Sequence, residues 1–209
     1  QFTSPINVAI PSGNFGNAYS AWFGRSNGLP VNKILCSTNV NDVLRRFIKT
    51  GELAPEKTLP SVAPSMDIQI PSSLERLIFD FTDGASAFYD ALLKENKAKL
   101  SDDKIKQLNH IFSSNTFLDD DIKSEIKFLY EEFGSIFDPH SVTSIRMALD
   151  NQDSVPTVAV ATASPEKFSN VIAPLIETSS VVEIDDTEEY LEIENDKSTI
   201  SESIKAYFS

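Results

Sequence analysis

Pro5-Ile6-Asn7-Val8-Ala9-Ile10, then Ser12-Gly13-Asn14-Phe15-Gly16-Asn17, then Ala18-Tyr19-Ser20-Ala21-Trp22-Phe23 read in turn as a strand, a tight loop and a helix. Gly28 supplies a stop for that helix. In an open α/β sheet such a loop sits at the carboxyl end of its strand, with outward-pointing main-chain N–H groups backed by the positive end of the helix dipole. The two glycines let the backbone approach an anion, and Ser12 and Asn14 add hydrogen bonds without charge. Either a phosphate pocket or an ordinary strand-to-helix turn fits this pattern. A nucleotide P-loop does not, because the loop has no lysine, and the spacing also departs from Gly-x-Gly-x-x-Gly.

Outward from this unit, the chain alternates. Lys33 to Ser37 reads as a strand, and Asn41 to Lys49 as a helix capped by Asn41 and ended by Gly51. This order implies parallel pairing. Residues 50–70, with Pro55, Pro60 and Pro64, are irregular, and Ser72 and Glu75 have the spacing of a capping box. From Gly84 to Gly134 the periodicity is helical throughout, with Ser101 as a cap. Asp138-Pro139-His140 then opens another helix, 156–162 reads as a buried strand, Pro165 fits a first helical turn, and a helix closes the chain near Ile204 to Phe208. The division expected is 1–83 as sheet with the loop, 84–134 as a helical insertion, and 135–209 as the return to the sheet and the last helix.

The 209 residues suffice for a full core, and 41% hydrophobic with 10% aromatic content describes a globular chain. No run of eighteen apolar residues and no signal-peptide pattern is present. The net charge of −13 argues against nucleic-acid and anionic-membrane partners. Most of that charge falls between Glu177 and Ser209, which reads as a solvated surface. Cys36, the lone cysteine, reads as buried strand filler and fits a cytoplasmic location. The chain opens on a core strand without an initiator methionine, as a fragment would.

Thr162, at the carboxyl end of its strand, shares a sheet edge with the 13–17 loop and could either meet a ligand ring nitrogen or cap the next helix. His140 could donate a hydrogen bond on that face, whereas His110 reads as surface. Neither histidine has a metal-ligand companion, so no metal site is expected. Ser164-Pro165-Glu166-Lys167 has the Ser-x-x-Lys spacing of acylating hydrolases without their companion motifs, and reads as a helix opening.

Several ordered blocks together resemble threonine synthases. They are Pro11 to Asn17, Gly28-Leu29-Pro30-Val31, Ser37 to Val43 with Arg46-Phe47, Ala63 to Ile68, Asp138-Pro139-His140, and Ala161-Thr162-Ala163 with Pro165 to Phe168. The resemblance implies a partial fold-type II architecture like that of tryptophan synthase β-chains, a three-layer α/β fold around a parallel sheet. It implies pyridoxal 5'-phosphate as cofactor and the conversion of O-phospho-L-homoserine and water to L-threonine and phosphate. It places the cofactor phosphate on Gly13, Asn14, Phe15, Gly16 and Asn17 and the ring nitrogen on Thr162. Ser12, Asn39, Asn41, Asp42 and His140 are assigned to the same active face. Ser164 stands where the family has histidine, and the family's Schiff-base lysine, in a Phe-Lys-Asp context, has no counterpart here. The chain therefore resembles a carboxyl-terminal half that needs its amino-terminal half as partner and is inert alone. A non-catalytic relative that binds a phosphorylated ligand, or a related phospho-lyase, would share these motifs.

Overall fold

Val8 and Ile10 of strand β1 (Ile6–Pro11) join one hydrophobic cluster and Ala9 the opposite one; Ile34, Cys36 and Leu35 of β2 (Val31–Thr38) divide in the same way. Strands buried on both faces need helices on both faces, and parallel pairing supplies them. The computed structural model describes residues 4–82, 84–176, 194 and 196–207. Its elements continue with α1 (Gly16–Ser26), α2 (Val43–Thr50), β3 (Glu52–Leu53), α3 (Leu74–Thr82), α4 (Ser86–Glu95), β4 (Ala98–Lys99), α5 (Asp102–Ile111) and β5 (Phe112–Thr116). They end with α6 (Asp119–Phe133), α7 (Pro139–Asp150), β6 (Thr157–Ala159), α8 (Ser169–Ile172) and α9 (Lys197–Tyr207).

Four strands pair in the order β5-β2-β1-β6, all parallel. Helices α1 to α5 carry the cluster on one face, including Ala18, Phe47, Leu77, Phe88 and Leu108, while α6, α7 and α8 carry Ile126, Val142, Met147 and Ile172 on the other. The three-layer architecture expected from the resemblance is what the fold shows. Helix ends follow local chemistry. Gly51 closes α2 at φ +73, and a Cβ there would lie 2.3 Å from Ile105 Cγ1, so glycine is required. Asp138 caps α7 by accepting from the His140 and Ser141 amides, with Pro139 in the first turn.

Some local expectations are corrected. Residues 84–134 are not helical throughout, because β5 leaves α5 directly and pairs with β2 as an edge strand, and the short β4 pairs with β3. Ser113-Ser114-Asn115-Thr116 carries no apolar period; tertiary pairing, with Phe112 anchored against Phe15 and Trp22, imposes the extended form. The strand expected over 156–162 is shorter and is the other edge, with Val158 49% exposed. Asp42, rather than Asn41, occupies the cap position of α2, and Ser72 binds Asn14 instead of closing a capping box. Residues 50–70 are irregular apart from β3 and a 3-10 turn at Pro64–Met66. Cys36 is buried, and burial pushes its thiol up to about 12. His110 is exposed, and Pro165–Phe168 form a 3-10 turn with Ser164 before it. The acidic run over 177–193 lies outside the described residues, as does Phe208 at the end of the expected last helix.

Phe112 is 1% exposed, with its ring 5.7 Å from Phe15 and 6.3 Å from Trp22. Phe112→Ala should therefore lower the unfolding free energy by about 3–5 kcal/mol, measured by urea denaturation. A loss under about 1 kcal/mol would show that β5 is not anchored in this way.

Candidate active site

Residues 13–17 leave β1 and turn into α1 with an unusual backbone. Phe15 precedes the helix at φ 71, a left-handed conformation that costs a non-glycine residue about 1–3 kcal/mol. Its side chain, 1% exposed, offsets that cost by packing on Phe112. Gly13 lies under the 3-10 turn at Pro64–Met66, and a Cβ on it would come 2.7 Å from Ser65 O and 3.0 Å from Met66 Cα. Asn14 holds the loop from outside, its carbonyl accepting from Ser73 N at 3.0 Å and its Oδ1 from the Ser72 hydroxyl at 3.3 Å.

The outcome is a row of free donors. Among the described residues, none of the amides of Gly13, Asn14, Phe15, Gly16 and Asn17 has a hydrogen-bond acceptor. Such groups need a partner, and the start of an eleven-residue helix favours an anionic one. They border a cleft of about 310 Å³ whose other walls are Ser65 and Met66, His140, and Thr162 with Ala163. None of the described residues lining it is Asp, Glu, Lys or Arg. An anion here would be held by neutral dipoles.

Asp138 organises the wall opposite the loop. Its Oδ1 accepts from the His140 amide at 2.9 Å and lies 2.7 Å from His140 Nδ1. His140 Nε2 accepts from the Ser65 amide at 3.1 Å, so the ring proton sits on Nδ1, facing Asp138. On the other side the Ser141 hydroxyl donates to Asp138 Oδ2 and accepts from the Thr162 amide at 2.9 Å. Burial pushes the Asp138 carboxyl up, but hydrogen bonds from His140 and Ser141 outweigh it and hold the group below the usual carboxylate range. Thr162 lines the cleft, and its hydroxyl has no partner among the described residues.

The cleft thus brings together Gly13, Asn14, Phe15, Gly16, Asn17, Thr162 and His140. The other expected active-face residues lie elsewhere. Ser12 is 3% exposed, its amide bound to Ser37 O at 2.8 Å and its hydroxyl to Ile10 O at 3.0 Å, so the donor row begins at Gly13. Asn39 and Asn41 both donate to Asp67 Oδ1, at 2.7 and 2.9 Å, and tie down the loop around Leu59 and Ser61. Asp42 pairs with Arg45 and Arg46 on α2. His140 reaches the cleft, but with both ring nitrogens engaged it offers no spare donor. Sequence reasoning missed Ser65 and Met66, whose only signal was their block in the resemblance, and Ser141, signalled by its place three residues after the cap Asp138. Among the described residues no His, Cys, Asp or Glu cluster could hold a metal, and no helix is long and apolar enough to cross a membrane.

No family model matches the chain. Individual relatives do. Threonine synthase of Pseudomonas aeruginosa is 32% identical over 173 residues, 80% of this chain and 37% of that protein. Human threonine synthase-like 1 is 30% identical over 198 residues, 91% of this chain and 27% of that protein. The crystal structure of pyridoxal-phosphate-bound threonine synthase from Brucella melitensis superimposes with a TM-score of 0.79 at 26% identity, covering 83% of this chain and 39% of that one. The likeness to threonine synthases that the motifs suggested is therefore found in both sequence and fold. The chain spans little more than a third of the length of the threonine synthases it matches.

Two outcomes test the geometry. Gly13→Ala puts a methyl against main-chain atoms of Ser65 and Met66 and should cost about 1–3 kcal/mol in urea denaturation; an unchanged midpoint would show that the turn does not seal the loop. Asp138→Asn should be less stable than the unaltered chain at pH 7 by about 1–3 kcal/mol. Because the native carboxyl is held low, this stabilisation is complete above the unfolded value of about 3.9. The difference should therefore shrink as pH falls below about 4, and a gap that persists at lower pH would contradict the assignment.

Proposed function

We propose that the chain is the cofactor-phosphate-binding, carboxyl-terminal portion of a threonine synthase, an enzyme that turns O-phospho-L-homoserine and water into L-threonine and phosphate. One observation carries the reading. Among the described residues, five main-chain amides without acceptors belong to residues lining a cleft that holds no formal charge, at the same edge of a parallel sheet as Thr162, whose hydroxyl has no partner. The donor set fits pyridoxal phosphate. Its phosphate would be held by Gly13 to Asn17, and Gly13 has no room for a Cβ beneath the Ser65 turn. Its ring nitrogen would meet the Thr162 hydroxyl.

When bound, that cofactor supplies an electron sink that stabilises negative charge on substrate carbons. The chain's own residues bind and orient. A hydroxyl at Thr162 offers a neutral hydrogen bond, where a carboxylate would draw a proton onto the ring nitrogen. His140 keeps Ser65 in place rather than moving a proton, because its two nitrogens are committed to Ser65 and Asp138. No lysine is among the described residues lining the cleft, which supports a covalent anchor supplied by an amino-terminal half of the same protein. The isolated chain is then a binder without turnover.

A second reading keeps the cleft and drops the reaction: a threonine-synthase-like protein that binds a phosphorylated ligand. The likeness to threonine synthase-like 1 over 91% of the chain and the presence of Ser164 favour it. Phosphate release from O-phospho-L-homoserine separates the two. A longer polypeptide that includes an amino-terminal half should release phosphate and threonine in equal amounts, and the chain alone neither. Release of phosphate without threonine would point to a lyase, and uptake of pyridoxal phosphate without turnover to the second reading. Thr162→Val should weaken pyridoxal phosphate roughly three- to tenfold and leave inorganic phosphate binding unchanged, read by calorimetric titration. Equal binding of pyridoxal phosphate by both chains would remove Thr162 from the site.

A further inference from the structure

Two walls of the cleft depend on one carboxylate that does not itself line it. Asp138, 1% exposed, sits behind both. Through Oδ1 it fixes the His140 proton on Nδ1, which leaves Nε2 to accept the Ser65 amide. Through Oδ2 it takes the Ser141 hydroxyl proton, which leaves the Ser141 oxygen to accept the Thr162 amide. We propose that Asp138 is the positioning residue of the site, setting the Ser65 lip and the Thr162 contact in register across the cleft. This rests on the cleft being a pyridoxal phosphate site.

The chemistry of the node decides why a carboxylate is needed. A carboxylate only accepts, so it dictates the direction of every hydrogen bond in both arms. Asparagine would keep one acceptor and present one NH2. Two main-chain amides, His140 at 2.9 Å and Ser141 at 3.3 Å, already point at the Oδ1 side together with His140 Nδ1, so the amide oxygen belongs there. The NH2 then faces Ser141, whose hydroxyl can no longer donate to residue 138 and must rotate, which shifts the lone pair that accepts the Thr162 amide. Asp138→Asn should therefore injure the Thr162 arm and spare the Ser65 arm.

The outcome is specific because the arms serve different parts of the ligand. Inorganic phosphate reports on the loop and the Ser65 lip alone; pyridoxal phosphate also reports on Thr162. Calorimetric titrations with both probes, on chains checked as folded by circular dichroism, make the test. Asp138→Asn and Ser141→Ala should each lose roughly three- to tenfold in pyridoxal phosphate affinity and keep inorganic phosphate affinity within about twofold. Combining them should add nothing further, since both act through the Thr162 amide. His140→Ala should weaken inorganic phosphate roughly three- to tenfold, and His140→Gln, whose amide oxygen can accept the Ser65 amide, should restore it. A merely structural role for Asp138 predicts additive losses or equal loss of both probes, and either result overturns the inference. So does an Asp138→Asn chain that binds pyridoxal phosphate normally. If the unaltered chain takes up no pyridoxal phosphate, the cleft reading itself falls and this inference with it.

Discussion

Main-chain N–H groups that have left a strand and not yet entered a helix must find an acceptor, and at Gly13 to Asn17 none is supplied among the described residues. Much around the loop serves to keep those donors presented. Phe15 accepts a left-handed backbone because its ring is sealed against Phe112 on β5. Gly13 slides beneath the Ser65 turn where no side chain fits, and Asn14 is tied to Ser72 and Ser73 at the start of α3. Sheet, helix and turn thus hold the loop from three directions.

The absence of charge among the residues lining the cleft matters as much as the donors. In a chain with net charge −13, the described residues lining the cleft present dipoles and no lysine or arginine. The Asp138 carboxylate that stiffens the opposite wall is kept out of the cleft, buried behind His140 and Ser141. Its negative charge is balanced by donors rather than turned toward the cleft.

Much of this was legible in the sequence. Alternating strands and helices gave the parallel sheet, and the shared sheet edge put Thr162 on the face of the loop; the loop's glycines were read as room for an anion, whereas the close approach at Gly13 is to the Ser65 turn. Other features were hidden for physical reasons. Ser113 to Thr116 is an edge strand with polar side chains, and only its neighbour β2 makes it extended. Asn39, Asn41 and Ser12 are short polar residues near strand ends, where the same side chain can face a ligand or its own backbone; packing chose the backbone and Asp67. Asp138 was readable as part of a helix opening, but its link to Ser65 joins residues more than seventy positions apart, which no local pattern carries.

The central claim is that the amides from Gly13 to Asn17 form one anion cup. Titrating isotope-labelled chain with inorganic phosphate while following each backbone amide by NMR tests it most directly. The account predicts that these five resonances move together along one saturable curve, with the Ser12 amide, already bound to Ser37, moving least. Saturable shifts that cluster elsewhere on the sheet while residues 13–17 stay fixed would contradict it.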